Sequence, residues 1–195
     1  ICYNWMAGLG WTRTNQRVSY RGGAITSEFD LKAAEQMGET RYAKVSEEKI
    51  WDNLVYFQKA VIPVAEKCGV VIALENVWNN LWVQPAVWQN YLASFNSPWV
   101  KAYFDIGNHV KYVPPEEWIL ALGSLIAKCH VKDFKLGEAD PGTGKFVDIR
   151  DGSVRWPVVR AALDKIGYNG WMTIEGGDLS TEENSKRLDL IIAGR

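Results

Sequence analysis

The stretch Gly69-Val70-Val71-Ile72-Ala73-Leu74-Glu75-Asn76 decides how this chain is read. Five apolar residues directly after a glycine are too few for a helix. They read as a strand buried on both faces, as in a parallel sheet. The run ends in an acid, and the arrangement recurs three times. Val100 to Phe104 runs into Asp105, Leu125 to Cys129 into His130, and Trp171 to Ile174 into Glu175. Four strand-like runs therefore end in side chains able to bind a hard or borderline metal ion.

Working outward, helical patterns fill the gaps. Ser46 is a plausible N-cap for a helix carrying Ile50, Leu54, Phe57, Val61 and Val64, with a break expected at Pro63 and a C-cap at Gly69. Pro85 opens a helix burying Val87, Tyr91, Leu92 and Phe95, and Pro114 and Pro115 open one that Gly123 ends. Pro157 begins a helix with Val158, Ala161, Ala162 and Ile166 inward. Ser180 and Glu183 have capping-box spacing ahead of Leu188, Ile191 and Ile192. Ile1 to Met6 reads as a first strand, with long loops expected over Ala7–Tyr42 and Lys135–Ser153.

Strict alternation of strands and helices implies a parallel α/β sheet with right-handed crossovers. The expected fold is a (β/α)8 TIM barrel, as one domain over residues 1–195 holding its C-terminal five βα units. A doubly wound sheet is less attractive, because no Gly-rich phosphate loop follows the first strand. The chain starts at Ile1 inside a strand-like run, with neither an initiator Met nor a signal peptide. The expectation is that roughly 60 to 90 upstream residues complete the barrel. Alone, the 195-residue piece would aggregate or form a homo-oligomer through its open sheet edge.

A formal net charge of -1 gives no basic field for nucleic acid or acidic membrane. No apolar run approaches the roughly 20 residues that span a bilayer. Cys2, Cys68 and Cys129 are odd in number and scattered, which reads as reduced core thiols of a cytoplasmic protein.

In a βα-barrel the C-terminal strand ends converge on one mouth. Glu75, Asp105, His130 and Glu175 would face each other there. Three carboxylates and one imidazole suit one divalent metal ion, Mn²⁺ first, with Mg²⁺ or Co²⁺ as alternatives. Three acids so close together would repel without a cation. Asn108, His109 and Lys132 follow the ligands closely and are candidate substrate contacts. Trp5, Trp78 and Trp82 lie near strand ends and could pack on the apolar face of a sugar. Arg13, Arg17 and Arg21 could hold an anionic group.

Leu74-Glu75-Asn76, Phe104-Asp105-Ile106-Gly107-Asn108, His130-Val131-Lys132-Asp133 and Thr173-Ile174-Glu175 resemble the sugar isomerase/epimerase superfamily with the xylose isomerase-like barrel. Ketose and ketose-phosphate 3-epimerases are the nearest match, particularly the hexulose and pentulose 5-phosphate type. The resemblance implies that Glu75, Asp105, His130 and Glu175 bind one divalent metal and that Glu75 and Glu175 are the acid/base pair. The implied partner is a small sugar or sugar phosphate. Some members have His three residues after the metal Asp, where this chain has Asn108 with His109 next to it. Cys2 to Thr14 is similar to a segment of mannonate dehydratases, a pointer to sugar-acid chemistry. An endonuclease IV-like hydrolase fits poorly with two His and a net charge of -1. Intact Glu75 and Glu175 argue against a non-catalytic sugar-binding relative.

Overall fold

The computed structural model describes residues 2–3, 56, 59–77, 83–140 and 142–195. Its main sheet is assembled from the four acid- or histidine-terminated runs and one strand at the start of the chain. In chain order the elements are β1 (Cys2–Tyr3), α1 (Ile62–Cys68), β2 (Ile72–Glu75), α2 (Pro85–Ser94), β3 (Val100–Asp105) and α3 (Pro115–Leu122). A 3₁₀ turn over Gly123–Leu125 leads into β4 (Ile126–Val131). The remainder is β5 (Asp133–Leu136), β6 (Gly144–Val147), α4 (Trp156–Lys165), β7 (Trp171–Ile174) and α5 (Thr181–Ile192). The order β1-β2-β3-β4-β7 is parallel throughout, as in part of an α/β barrel, and β5 and β6 form a separate antiparallel hairpin.

Local signals act as their chemistry requires. Gly69 sits at φ 63°, where its N–H reaches the carbonyls of Ala65 and Glu66 and stops α1. Pro63 lies in the first turn of α1, after a turn at Val61, so the expected break is real. Ser180 accepts the Glu183 N–H at 3.2 Å and caps α5.

Leu74, Ala102, Phe104, Cys129 and Val131 are buried on the helix-facing side of the sheet, in one core with Trp88, Trp118, Ile119, Val159 and Leu163. Burying such an aliphatic or aromatic side chain is worth about 1.5–3 kcal/mol. Alternation along the strands turns Tyr103, Asp105, Lys128 and His130 to the opposite face.

Several expectations are corrected. Val70 and Val71 are 46% and 36% exposed, because the ladder with β3 begins only at Ile72, opposite Val100. Val87 and Val158 face outward; Trp88 and Val159, one position later, hold the core instead. In α4 the buried stripe starts at Trp156, ahead of the proline, and continues through Val159 and Leu163. Trp171 is 79% exposed, so its run is not buried on both faces. Cys129 is a buried thiol as expected, but Cys68 is exposed at the end of α1. The expected loop Lys135–Ser153 contains most of the β5–β6 hairpin. The expected loop Ala7–Tyr42 with its three arginines, the helix start at Ser46, and Trp5, Trp78 and Trp82 lie outside the described residues. No helix among the described residues is long and apolar enough to cross a membrane.

Candidate metal centre

Register brings the four predicted ligands together. Asp105, the last residue of β3, lies opposite His130 on β4, and the N–H of Glu175 donates to the Val131 carbonyl. Glu75 closes β2. One ligand atom from each of Glu75, Asp105, His130 and Glu175 falls within 4.8 Å of all the others. Nδ1 of His130 is the centre of the group, at 3.2 Å from Glu75 Oε1, 3.3 Å from Glu175 Oε2 and 3.7 Å from Asp105 Oδ2. The Tyr103 ring packs against the imidazole with centroids 4.0 Å apart.

A polar clasp fixes two of the strand ends. Asn76 accepts the Asp105 N–H at 2.6 Å and donates to the Asp105 carbonyl at 2.9 Å. Asn108 donates back to the Asn76 carbonyl at 3.0 Å. The N–H groups of Gly107 and Asn108 both donate to Asp105 Oδ1, at 2.8 and 2.9 Å. Position 107 admits only glycine, since a Cβ there would stand 2.8 Å from the Lys132 carbonyl oxygen. Asp105 is thus held by one carboxylate oxygen while the other, Oδ2, is buried without a hydrogen-bond partner among the described residues.

Electrostatics follow from crowding. Burial and the neighbouring carboxylates Glu175 and Glu75 push the Asp105 carboxyl well above its ordinary range, against the pull of Lys132. Burial also works to raise Glu175, but its contact with Asp105, its bond to Lys132 and the nearby His130 outweigh that and lower it. Lys132 Nζ lies 2.8 Å from Glu175 Oε2 and 3.5 Å from Asp105 Oδ2. Burial pulls its pKa down, yet these two acids more than compensate, and the ammonium is retained.

The donor set fits a divalent cation. Three carboxylates and one imidazole are hard and borderline donors of the kind that would hold a single divalent cation. Three of the separations, from His130 Nδ1, are only 3.2 to 3.7 Å, and Asp105 Oδ2 is an acceptor in need of a positive partner.

The other candidates are placed differently. Asn108 is buried, with Oδ1 3.5 Å from Lys132 Nζ. His109 is 2% exposed, its Nε2 3.3 Å from the Val77 carbonyl and its ring against Trp118. Burial lowers its pKa to about 4, so it is neutral at pH 7.

The neighbour of Lys132 has a role that sequence reading missed. Asp133 is fully buried and accepts five hydrogen bonds, from the N–H of Phe134 (2.8 Å), Arg150 (3.0 Å), Gly152 (3.2 Å) and Val154 (3.1 Å) and from Trp156 Nε1 (3.0 Å). Burial raises its pKa and these donors oppose the rise. A Cβ at Gly152 would collide with Asp133 Oδ1, which fixes glycine there. The sequence signal for this hub was its place in the His130-Val131-Lys132-Asp133 segment, directly after Lys132. Its partners are mostly backbone groups that no side-chain pattern reveals. Beyond Lys132 and Glu175 the site opens into a pocket of about 420 Å³ between the hairpin and the Glu175–Asp178 turn.

Residues 27–190 match the xylose isomerase-like TIM barrel family, and the chain belongs to it. A mannonate dehydratase of Thermotoga petrophila is 26% identical over 95% of this chain and 64% of its own length. The solved mannonate dehydratase of Streptococcus suis superposes over 99% of this chain and 66% of its own, with TM-score 0.65 and 18% identity. A D-tagatose 3-epimerase-like protein matches over 75% of this chain and 54% of its own, with TM-score 0.60 and 23% identity. The chain spans less than two thirds of the length of each.

Proposed function

We propose that this chain is a divalent-metal-dependent epimerase or isomerase of a ketose or ketose phosphate, most simply a 3-epimerase. The observation that carries the reading is the pair Glu75 and Glu175, both within 3.3 Å of one His130 nitrogen, beside a buried acceptor that lacks a partner. A D-tagatose 3-epimerase-like protein and an L-ribulose 3-epimerase share the fold. A cation such as Mn²⁺, held by Glu75, Asp105, His130 and Glu175, would stabilise charge developing on a sugar's carbonyl and hydroxyl oxygens. The protein's own part is proton transfer. One glutamate takes the proton α to the carbonyl and the other returns a proton to the opposite face, inverting that carbon. Lys132 keeps Glu175 ionised and, with Asn108, offers hydrogen bonds to sugar oxygens. Free Cys68 and Cys129 suit a reducing, cytoplasmic setting.

The test is a screen of ketoses in deuterated water with Mn²⁺ present. Deuterium at the inverted carbon is the expected result; inversion without label would point to transient oxidation instead.

A second reading is dehydration of a sugar acid, favoured by the similarity of 95% of this chain to a mannonate dehydratase. The same α-proton removal would then lead to loss of a hydroxyl from the next carbon. Loss of water from an aldonate, detected as a 2-keto-3-deoxy product, separates it from epimerisation.

A further inference from the structure

Of the four proposed metal ligands, Glu175 is held least by its surroundings. Its side chain is 42% exposed, against 13% or less for Glu75, Asp105 and His130. Packing therefore does not fix it, and its backbone must. Among the described residues β7 has a neighbouring strand on one side only, β4. The Glu175 N–H still reaches the Val131 carbonyl at 3.1 Å, and then come Gly176 and Gly177, at φ 80° and 84°. Two glycines in a row have wide conformational freedom, so a contact beyond them has to select this one turn.

That contact is Asp148. Its Oδ1 accepts the Asp178 N–H at 2.8 Å, directly after the two glycines. The same oxygen closes over Gly177, where a Cβ would stand 2.5 Å from it. Gly176 shows no such crowding, since a Cβ there would meet only Lys132 Cε at 3.9 Å. Asp148 itself belongs to a fixed segment. Its carbonyl accepts the Asp151 N–H at 3.0 Å. Arg187 of α5 donates to the Ile149 carbonyl and pairs with Asp151, both at 2.8 Å. Asp133 takes the N–H groups of Arg150 and Gly152. A carboxylate accepting a backbone N–H forms a charge-assisted bond, roughly twice as strong as a neutral one.

We propose that Asp148 is a positioning residue: by accepting the Asp178 N–H it locks the Gly176–Gly177 turn and so holds Glu175 at the metal centre. It does for Glu175 what the Asn76 clasp does for Asp105. The inference rests on the reading of Glu175 as metal ligand and proton-transfer group, and adds what keeps it in place. Without Asp148 the glycine pair is free to turn, and the most exposed of the four ligands swings away from His130. Supports of this kind behind a metal ligand typically carry about 10–100-fold in metal affinity or activity.

The experiment compares the full chain with Asp148→Asn and Asp148→Ala. Both variants lose the charge, but asparagine keeps an oxygen that can accept the Asp178 N–H and alanine does not. Amide hydrogen exchange is followed in metal-free protein, and Mn²⁺ affinity by calorimetric titration. In Asp148→Ala the Asp178 amide should exchange faster and Mn²⁺ should bind about tenfold or more weakly. Asp148→Asn should behave like the wild type in both. In a Glu175→Ala background, Asp148→Ala should no longer change Mn²⁺ affinity, because no ligand is left to misplace; a general structural role would persist there. Equal effects of Asn and Ala, unaltered exchange at Asp178, or a loss of Mn²⁺ affinity that survives Glu175→Ala would each overturn the positioning role. The two readings fail separately. Sugar turnover that Asp148→Ala leaves intact sinks only the positioning role. Mn²⁺ binding that depends on Asp148, without epimerisation or dehydration of any sugar, sinks only the proposed chemistry. A wild type that binds no Mn²⁺ sinks both.

Discussion

Asp105 and Asp133 are both wholly buried carboxylates, one at the end of β3 and one at the start of β5, and they live in opposite circumstances. Asp133 has five donors around its two oxygens. Asp105 has two backbone donors on one oxygen and none on the other, which faces Glu75, Glu175, His130 and Lys132. Folding has satisfied the first acid completely and left the second half-satisfied among like charges. A buried acid that the protein itself satisfies is scaffold, and one left waiting for a cation is a site.

The largest expected effect tests the site side of that contrast. Glu75→Gln and Glu175→Gln should each lower turnover by about 10²–10⁴-fold, measured as solvent deuterium incorporation, while leaving the circular dichroism spectrum unchanged. Next comes the scaffold. Asp133→Asn removes acceptor capacity and turns an amide N–H₂ towards backbone donors, so unfolding in urea should show a loss of about 3–5 kcal/mol. Chelation should lower the melting temperature and Mn²⁺ restore it, with about 3–4 kcal/mol of stabilisation at a hundred- to thousandfold excess over Kd. His130→Ala should abolish that response. A melting temperature indifferent to metal would erase the distinction between the two aspartates.

His109 offers a pH test at a third buried polar group. Its pKa falls from 6.5 in the unfolded chain to about 4 in the folded one, so between those values the unfolded state binds a proton that the native state refuses. Stability should fall as pH drops through that window, by roughly 3 kcal/mol at most, and be unaffected by this group above it. Urea titrations at pH 7 and 4.5 on wild type and His109→Asn should show the difference only in the wild type. The smallest effect separates the aspartates most cleanly. Without metal, Asp105→Asn should change stability by no more than about 1 kcal/mol, or increase it, because burial and neighbouring acids already disfavour the charge it removes. A loss as large as that of Asp133→Asn would show that Asp105 is scaffold too.

The gathering of Glu75, Asp105, His130 and Glu175 was legible because its signal is local: each ends an apolar run, and a parallel barrel gathers strand ends at one mouth. The parallel order was legible for the same reason. The hairpin was not, since Lys135 and Lys145 sit on strands of four residues joined by a Gly- and Asp-rich segment that reads as loop. In α4 Ala162 faces inward as expected, but Val158 and Ala161 are exposed; Pro157 draws attention away from Trp156, which is buried and tied to Asp133. Asp133 was visible only as part of the His130-Val131-Lys132-Asp133 segment; its role as a hub was not, because most of its partners are backbone N–H groups.

That hub has a consequence for how the protein can change. Asp133 binds Arg150 and Trp156, 17 and 23 residues further on, so one carboxylate closes the excursion that contains the hairpin. The two ends of the excursion are pinned together whatever lies between them. Doubling the length of a flexible loop costs only about 0.6 kcal/mol once its ends are fixed. Residues 137–147 can therefore be lengthened, shortened or recharged with little strain on β4 or α4. The segment beside the pocket is then more replaceable than the strands, a cartridge through which new ligands could be accommodated while the strand ends carrying Glu75, Asp105, His130 and Glu175 stay as they are.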